Sequence, residues 1–155
     1  MEREKVKKIL EFYRDIDGEI KLMTRMLKDF EDEYYTGNSS TLDGLPRGRY
    51  RTGNPTATAA LNIRDSTNAE MCNLENSIEQ ITKLKIAILH ELNKLPLAQK
   101  NIIYDFYITG LQWVQITMRV HYGITQCKKI RNRGLDKLAQ SFENNDLIKK
   151  FNYPF

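Results

Sequence analysis

Nine apolar side chains constrain the start of this sequence more tightly than anything else in it. Val6, Ile9, Tyr13, Ile16, Ile20, Met23, Leu27, Phe30 and Tyr34 recur at alternating steps of three and four. That spacing lays them along one stripe of an α-helix. Held over about four heptads, it is the signature of a helix that pairs with another, as in a coiled coil. Gly18 lies off the stripe and weakens the helix only locally, by about 1 kcal/mol relative to alanine. At about 1.5 Å per residue, a helix over 1–36 is roughly 50 Å long and cannot bury its stripe alone.

A second stripe supplies a candidate partner. Met71, Leu74, Ile78, Ile81, Lys85, Ile88, Leu92 and Leu95 keep the same spacing, with Lys85 as a polar insertion of the kind that sets register. Asn54-Pro55 reads as an N-cap followed by proline in the first turn, so the spacing predicts a helix over 55–95. Whether the two long helices pair within one chain or between chains is open. Residues 37–54 between them hold Gly37, Gly44, Gly48, Gly53 and Pro46, which reads as a flexible loop with partial disorder.

Leu95-Pro96 breaks the second helix, and shorter elements follow. A helix over 97–108 places Ile102, Ile103, Phe106 and Tyr107 on one side and ends at Thr109-Gly110. Residues 111–120 form a short helix with Val114, Ile116 or Thr117, and Val120 inward, followed by the turn His121-Tyr122-Gly123. From Ile124 a further helix turns Cys127, Ile130, Gly134 or Leu135, and Leu138 inward. The tail over 143–155 shows no period and is expected to fray. The fold class is all-α: two long coiled-coil-type helices joined by a long loop, then a helical unit over 96–142 with short turns, the pattern of a helix-turn-helix.

The 155 residues carry a net charge of only +4, but it is unevenly placed. Residues 1–36 are net −2, whereas residues 96–155 hold 9 basic and 4 acidic side chains. No acid lies between Asp105 and Asp136, while Arg119, Lys128, Lys129, Arg131, Arg133 and Lys137 all do or adjoin it. With Cys127, Ile130 and Leu138 turned inward, Thr125, Gln126, Lys128, Lys129, Asn132 and Arg133 remain outside. Gln and Asn pair bidentately with adenine, and Lys and Arg reach guanine or phosphate, so the set suits a DNA major groove. The first turn of such a helix carries most base contacts, which favours Thr125, Gln126, Lys128 and Lys129. Arg131, Arg133, Lys137 and Arg119 are then expected on phosphates. Arg47, Arg49 and Arg51, around Tyr50 in the loop, form a second basic cluster, readable either as solvated loop or as a DNA-binding arm.

The run LQWVQITMRVHYGITQCKKIRNRGLDKLAQSF resembles region 4 of bacterial sigma factors. Trp113-Val114-Gln115-Ile116 matches the core of that family's short helix, and Gly134-Leu135-Asp136-Lys137-Leu138 the end of its basic helix. Gly123 stands where those proteins prefer a Ser or Thr cap, and Trp113 where Tyr is commoner. In overall organisation, including Asn54-Pro55-Thr56, the chain is also similar to phage-encoded late transcription regulators of the RinA and ArpU type. The resemblance implies a DNA-binding regulator that activates late genes of a phage or prophage. It further implies double-stranded DNA as partner and possible contact with host RNA polymerase, with the heptad helices supporting a homodimer. Two alternatives from other classes are a DNA-packaging component of the small terminase subunit type and a coiled-coil interaction protein without specific DNA binding.

Other classes find little footing. No apolar stretch reaches the ~20 residues of a membrane span. The start MEREKVKKIL lacks the apolar core of a secretory signal. Cys72 and Cys127 stand apart, without metal-ligand spacing, which fits a reducing cytoplasm, and the resemblance implies that of a bacterial host. His90-Glu91 has no second histidine at zinc-protease spacing. No catalytic residue, cofactor, metal or small-molecule substrate is expected.

Overall fold

The computed structural model describes the backbone of residues 1–36 and 55–155, and side chains over 1–32 and 65–155. The arginine cluster Arg47, Arg49 and Arg51 and the cap residue Asn54 lie outside the described residues. Every regular element among the described residues is helical: α1 (Arg3–Thr36), α2 (Pro55–Asn93), α3 (Leu97–Ile103), α4 (Trp113–Val120), α5 (Ile124–Asn144) and α6 (Asp146–Lys150). The all-α expectation therefore holds. The chain forms two compact units, residues 1–19 with 80–155, and residues 20–79.

In the first unit the two stripes meet. Val6, Ile9, Leu10, Tyr13 and Ile16 of α1 are buried, as are Ile81, Leu84, Ile88 and Leu92 of α2. One reading of the second stripe changes here. Leu84, not Lys85, takes the inward position, and Lys85 lies at the edge, where its Nζ donates to Asp17 of α1. Lys85 is thus a boundary ion pair between the helices, not a buried polar insertion. In the second unit the stripe residues are less covered: Met23, Leu27, Phe30, Met71, Leu74 and Ile78 are half-buried, and Leu22 and Met26 are exposed.

The predicted helix over 97–108 changes pitch midway. α3 ends at Ile103 and a π-helical turn covers Tyr104–Ile108, closed by Thr109 N–H donating to the Tyr104 carbonyl. Gly110, at φ 75°, then reverses the chain. α4 starts at Trp113 with a reciprocal cap: the Gln112 side chain accepts from the Gln115 N–H, and Gln115 Oε1 accepts from the Gln112 N–H at 3.0 Å. Ile116 is buried, but Val114, expected inward, is 55% exposed, because Trp113, Ile116 and Val120 occupy the inner face instead.

The tail departs furthest from expectation. α5 runs on to Asn144, and Asn145 caps α6 by accepting from the N–H groups of Leu147 and Ile148. Ile148 is fully buried, while the rings of Phe151 and Tyr153 pack on Phe12 of α1 at 6.2 and 5.9 Å. Among the described residues no helix is long and apolar enough to cross a membrane.

Candidate nucleic-acid interface

α3, α4 and α5 pack on one another and share a small core, Ile102, Ile116 and Cys127, one residue from each. The turn between α4 and α5 is built for a tight change of direction. His121 ends α4 in the left-handed conformation at φ 57°, and Gly123, extended, opens α5. The Cys127 thiol lies beneath and donates to the Tyr122 carbonyl at 3.6 Å, with burial pushing its pKa up. Cys127 therefore packs and braces the turn as a neutral thiol. Gly123 has no side chain to cap the first turn of α5, so that turn's N–H groups have no side-chain partner at the cap.

The helical period divides α5 cleanly. Cys127, Gly134, Leu135 and Leu138 are buried. Gln126, Lys129, Arg133, Lys137 and Gln140 recur at steps of three and four on the opposite face and are exposed, with Thr125 beside them. Lys128 is also exposed but lies to one side, its Nζ 5.9 Å from the centre of the Trp113 ring. None of these four cations has an ion-pair partner among the described residues.

Three residues predicted for the same surface have internal partners. The Arg131 guanidinium sits 5.1 Å from the Trp113 centroid and 5.5 Å from that of Phe106, over two rings that stack at 4.5 Å. Its Nε and Nη2 also donate to Asn132 Oδ1 at 3.2 and 3.0 Å, which occupies the half-buried Asn132. Arg119 Nη1 donates to Asp105 at 3.1 Å across the π-helical turn. The structure thus gathers Thr125, Gln126, Lys129, Arg133 and Lys137 on one face, sets Lys128 at its edge, pairs the exposed Arg119 with Asp105, and turns Arg131 and Asn132 to internal partners.

One residue that sequence reasoning missed also reaches this helix. Arg3 of α1 grips Asp136, the acid within the basic stretch, with Nη2 donating to Oδ2 at 2.7 Å and Nε donating to Oδ1. The two residues are 133 positions apart, so no local pattern could reveal the pair. Among the described residues no cluster of His, Cys, Asp and Glu is placed to hold a metal ion. Compared with family models, curated proteins and solved structures, the chain has no significant match.

Proposed function

We propose that this chain is a sequence-specific DNA-binding transcriptional regulator whose α3–α5 unit acts as a sigma-region-4-like helix-turn-helix. α5 enters the major groove. Thr125, Gln126 and Lys129 meet base edges near its N-terminal turn, and Arg133, Lys137 and Lys128 hold phosphates. The long heptad helices supply a homodimer contact or a platform for RNA polymerase. The assignment to late genes of a phage or prophage rests on the resemblance to the RinA and ArpU type alone.

The observation that carries the reading is the exposed row Gln126, Lys129, Arg133, Lys137 and Gln140, with its cations unpaired, on a helix whose other face is buried. A merely solvated surface helix gains from pairing its charges within itself at three- or four-residue spacing. This one leaves them for an external anion.

The test is Lys129→Ala combined with Arg133→Ala. Binding to the cognate duplex should be lost while helicity by circular dichroism stays unchanged; specific binding retained by the double variant refutes the assignment. Genome-wide occupancy supplies the site, and a peak upstream of a late operon supports the regulator. Occupancy at a packaging origin, with a ring-sized mass in sedimentation, would instead favour the small terminase subunit type.

A further inference from the structure

Asp136 stands three residues after Arg133 and one before Lys137, half-exposed at the edge of the outward face of α5. By helical spacing Arg133 is its natural partner. The pair that forms is with Arg3 instead, through two hydrogen bonds from outside the helix. Arg3 has acids beside it in sequence, Glu2 and Glu4, yet Glu4 is taken by Lys7 one turn on. The consequence falls on α5. Asp136 is neutralised from α1, so Arg133 and Lys137 keep their full charge toward solvent.

We propose that Arg3 belongs to the DNA-binding surface as a positioning residue: by gripping Asp136 it cancels the negative charge beside the row and frees Arg133 for phosphate. This rests on the DNA-binding reading above. Without Arg3, the Asp136 carboxylate pairs with Arg133 and faces the duplex backbone. One phosphate contact is then lost, which at about 0.1 M salt is worth roughly eightfold in affinity.

The experiment uses the full chain carrying Arg3→Gln, Asp136→Asn, or both, with thermal unfolding measured in parallel. Each is titrated by fluorescence anisotropy against a labelled mixed-sequence duplex at several salt concentrations. Arg3→Gln should bind about five- to tenfold more weakly, with a salt slope shallower by about one. Asp136→Asn should bind at least as tightly as the unmodified chain, and the double variant should recover that affinity. Arg3→Lys, which keeps the charge, should lose much less than Arg3→Gln. Both single variants break the same ion pair, so a tether that merely holds α1 to α5 would make them equally weak binders. That outcome, or unchanged binding by Arg3→Gln, overturns the proposal while leaving the DNA-binding reading intact. Failure of the unmodified chain to bind duplex would overturn both.

Discussion

Gly134 lets α3 and α5 approach each other. A Cβ built there would lie 2.6 Å from Ile103 Cδ1 and 3.3 Å from Gln99 Cβ. Alanine would gain about 1 kcal/mol in helix propensity, but forcing a methyl into a filled core costs about 1–3 kcal/mol. The Ile103 tip must shift within a fully buried site, and Gln99 Cβ is fixed to its own backbone, so the packing loss is expected to win. Gly134→Ala should therefore destabilise slightly, by about 1 kcal/mol. Gly134→Val, larger and a poorer helix former, should cost about 3 kcal/mol. Urea unfolding reads both; stabilisation by the valine variant would show that the helices can part. The sequence leaves position 134 or 135 as the inward one, and both are buried because a crossing this close covers a wider arc of α5. Arg131 was less legible still. Its charge places it in the basic cluster, but its packing depends on the crossing of α4 and α5, which sequence spacing does not encode. Arg131→Ala should cost about 1–2 kcal/mol of stability and shift the emission of Trp113, the chain's single tryptophan, with little change in DNA affinity. A large loss of affinity in a stably folded Arg131→Ala would return Arg131 to the contact surface.

Among the elements, periodicity made the long helices readable and the tail unreadable. Stripes that hold for several turns fix the inner face of α1 and α2, whereas the five residues of α6 are too few to show a period. Besides the buried Ile148, a polar clasp ties α6 to α2. Glu91, buried on the last turn of α2, accepts from Lys94 Nζ at 2.9 Å and from Asn145 Nδ2 at 3.0 Å, while the Asn145 Oδ1 caps α6. Burial by itself would push the Glu91 carboxyl up. The hydrogen bonds from Lys94 and Asn145, with the Lys94 charge, outweigh it and leave the pKa below its ordinary value. A depressed carboxylate contributes stability above its unfolded pKa and loses it as pH falls through the folded value. The stability lost between neutral pH and about pH 3 should therefore be smaller in Glu91→Gln than in the unmodified chain. Equal losses would mean the clasp contributes nothing through its charge. Asn145→Ala removes both the cap and a donor to Glu91, and should cost about 1–3 kcal/mol. Glu143 adds to the same acid limb, since Lys149 and the Met1 amino group hold its carboxyl at about 2.

For the whole molecule, the number that matters is not the net charge of +4 but how many cations are left without acids. Pairing with Asp136 and Asp105 removes Arg3 and Arg119 from that count, and Arg131 is spent on the Phe106–Trp113 stack. Lys128, Lys129, Arg133 and Lys137 remain on or beside the outward face of α5. If Lys128, Arg133 and Lys137 each neutralise one phosphate while Lys129 meets a base edge, the logarithm of affinity should fall with the logarithm of salt at a slope of roughly −3 for one α5 on the duplex. The same slope also reports on assembly. Among the described residues of 20–79 the stripe is only half-covered, and Leu22 and Met26 beside it are 50% and 42% exposed, as expected of helices that meet further helices. A homodimer that docks two copies of α5 on two half-sites would double the slope to roughly −5. Arg133→Ala would then lower it by about two instead of one. Sedimentation of the free protein and of Leu22→Glu with Met26→Glu checks the assembly independently: dimeric mass for the first, monomeric for the second, with the steep slope lost together with the dimer. A slope steeper still, reduced by replacing Arg47, Arg49 and Arg51 with Gln, would assign the loop arginines a share of the phosphates. A slope near zero, or one that Lys129→Ala and Arg133→Ala leave unchanged, would mean that α5 does not hold DNA.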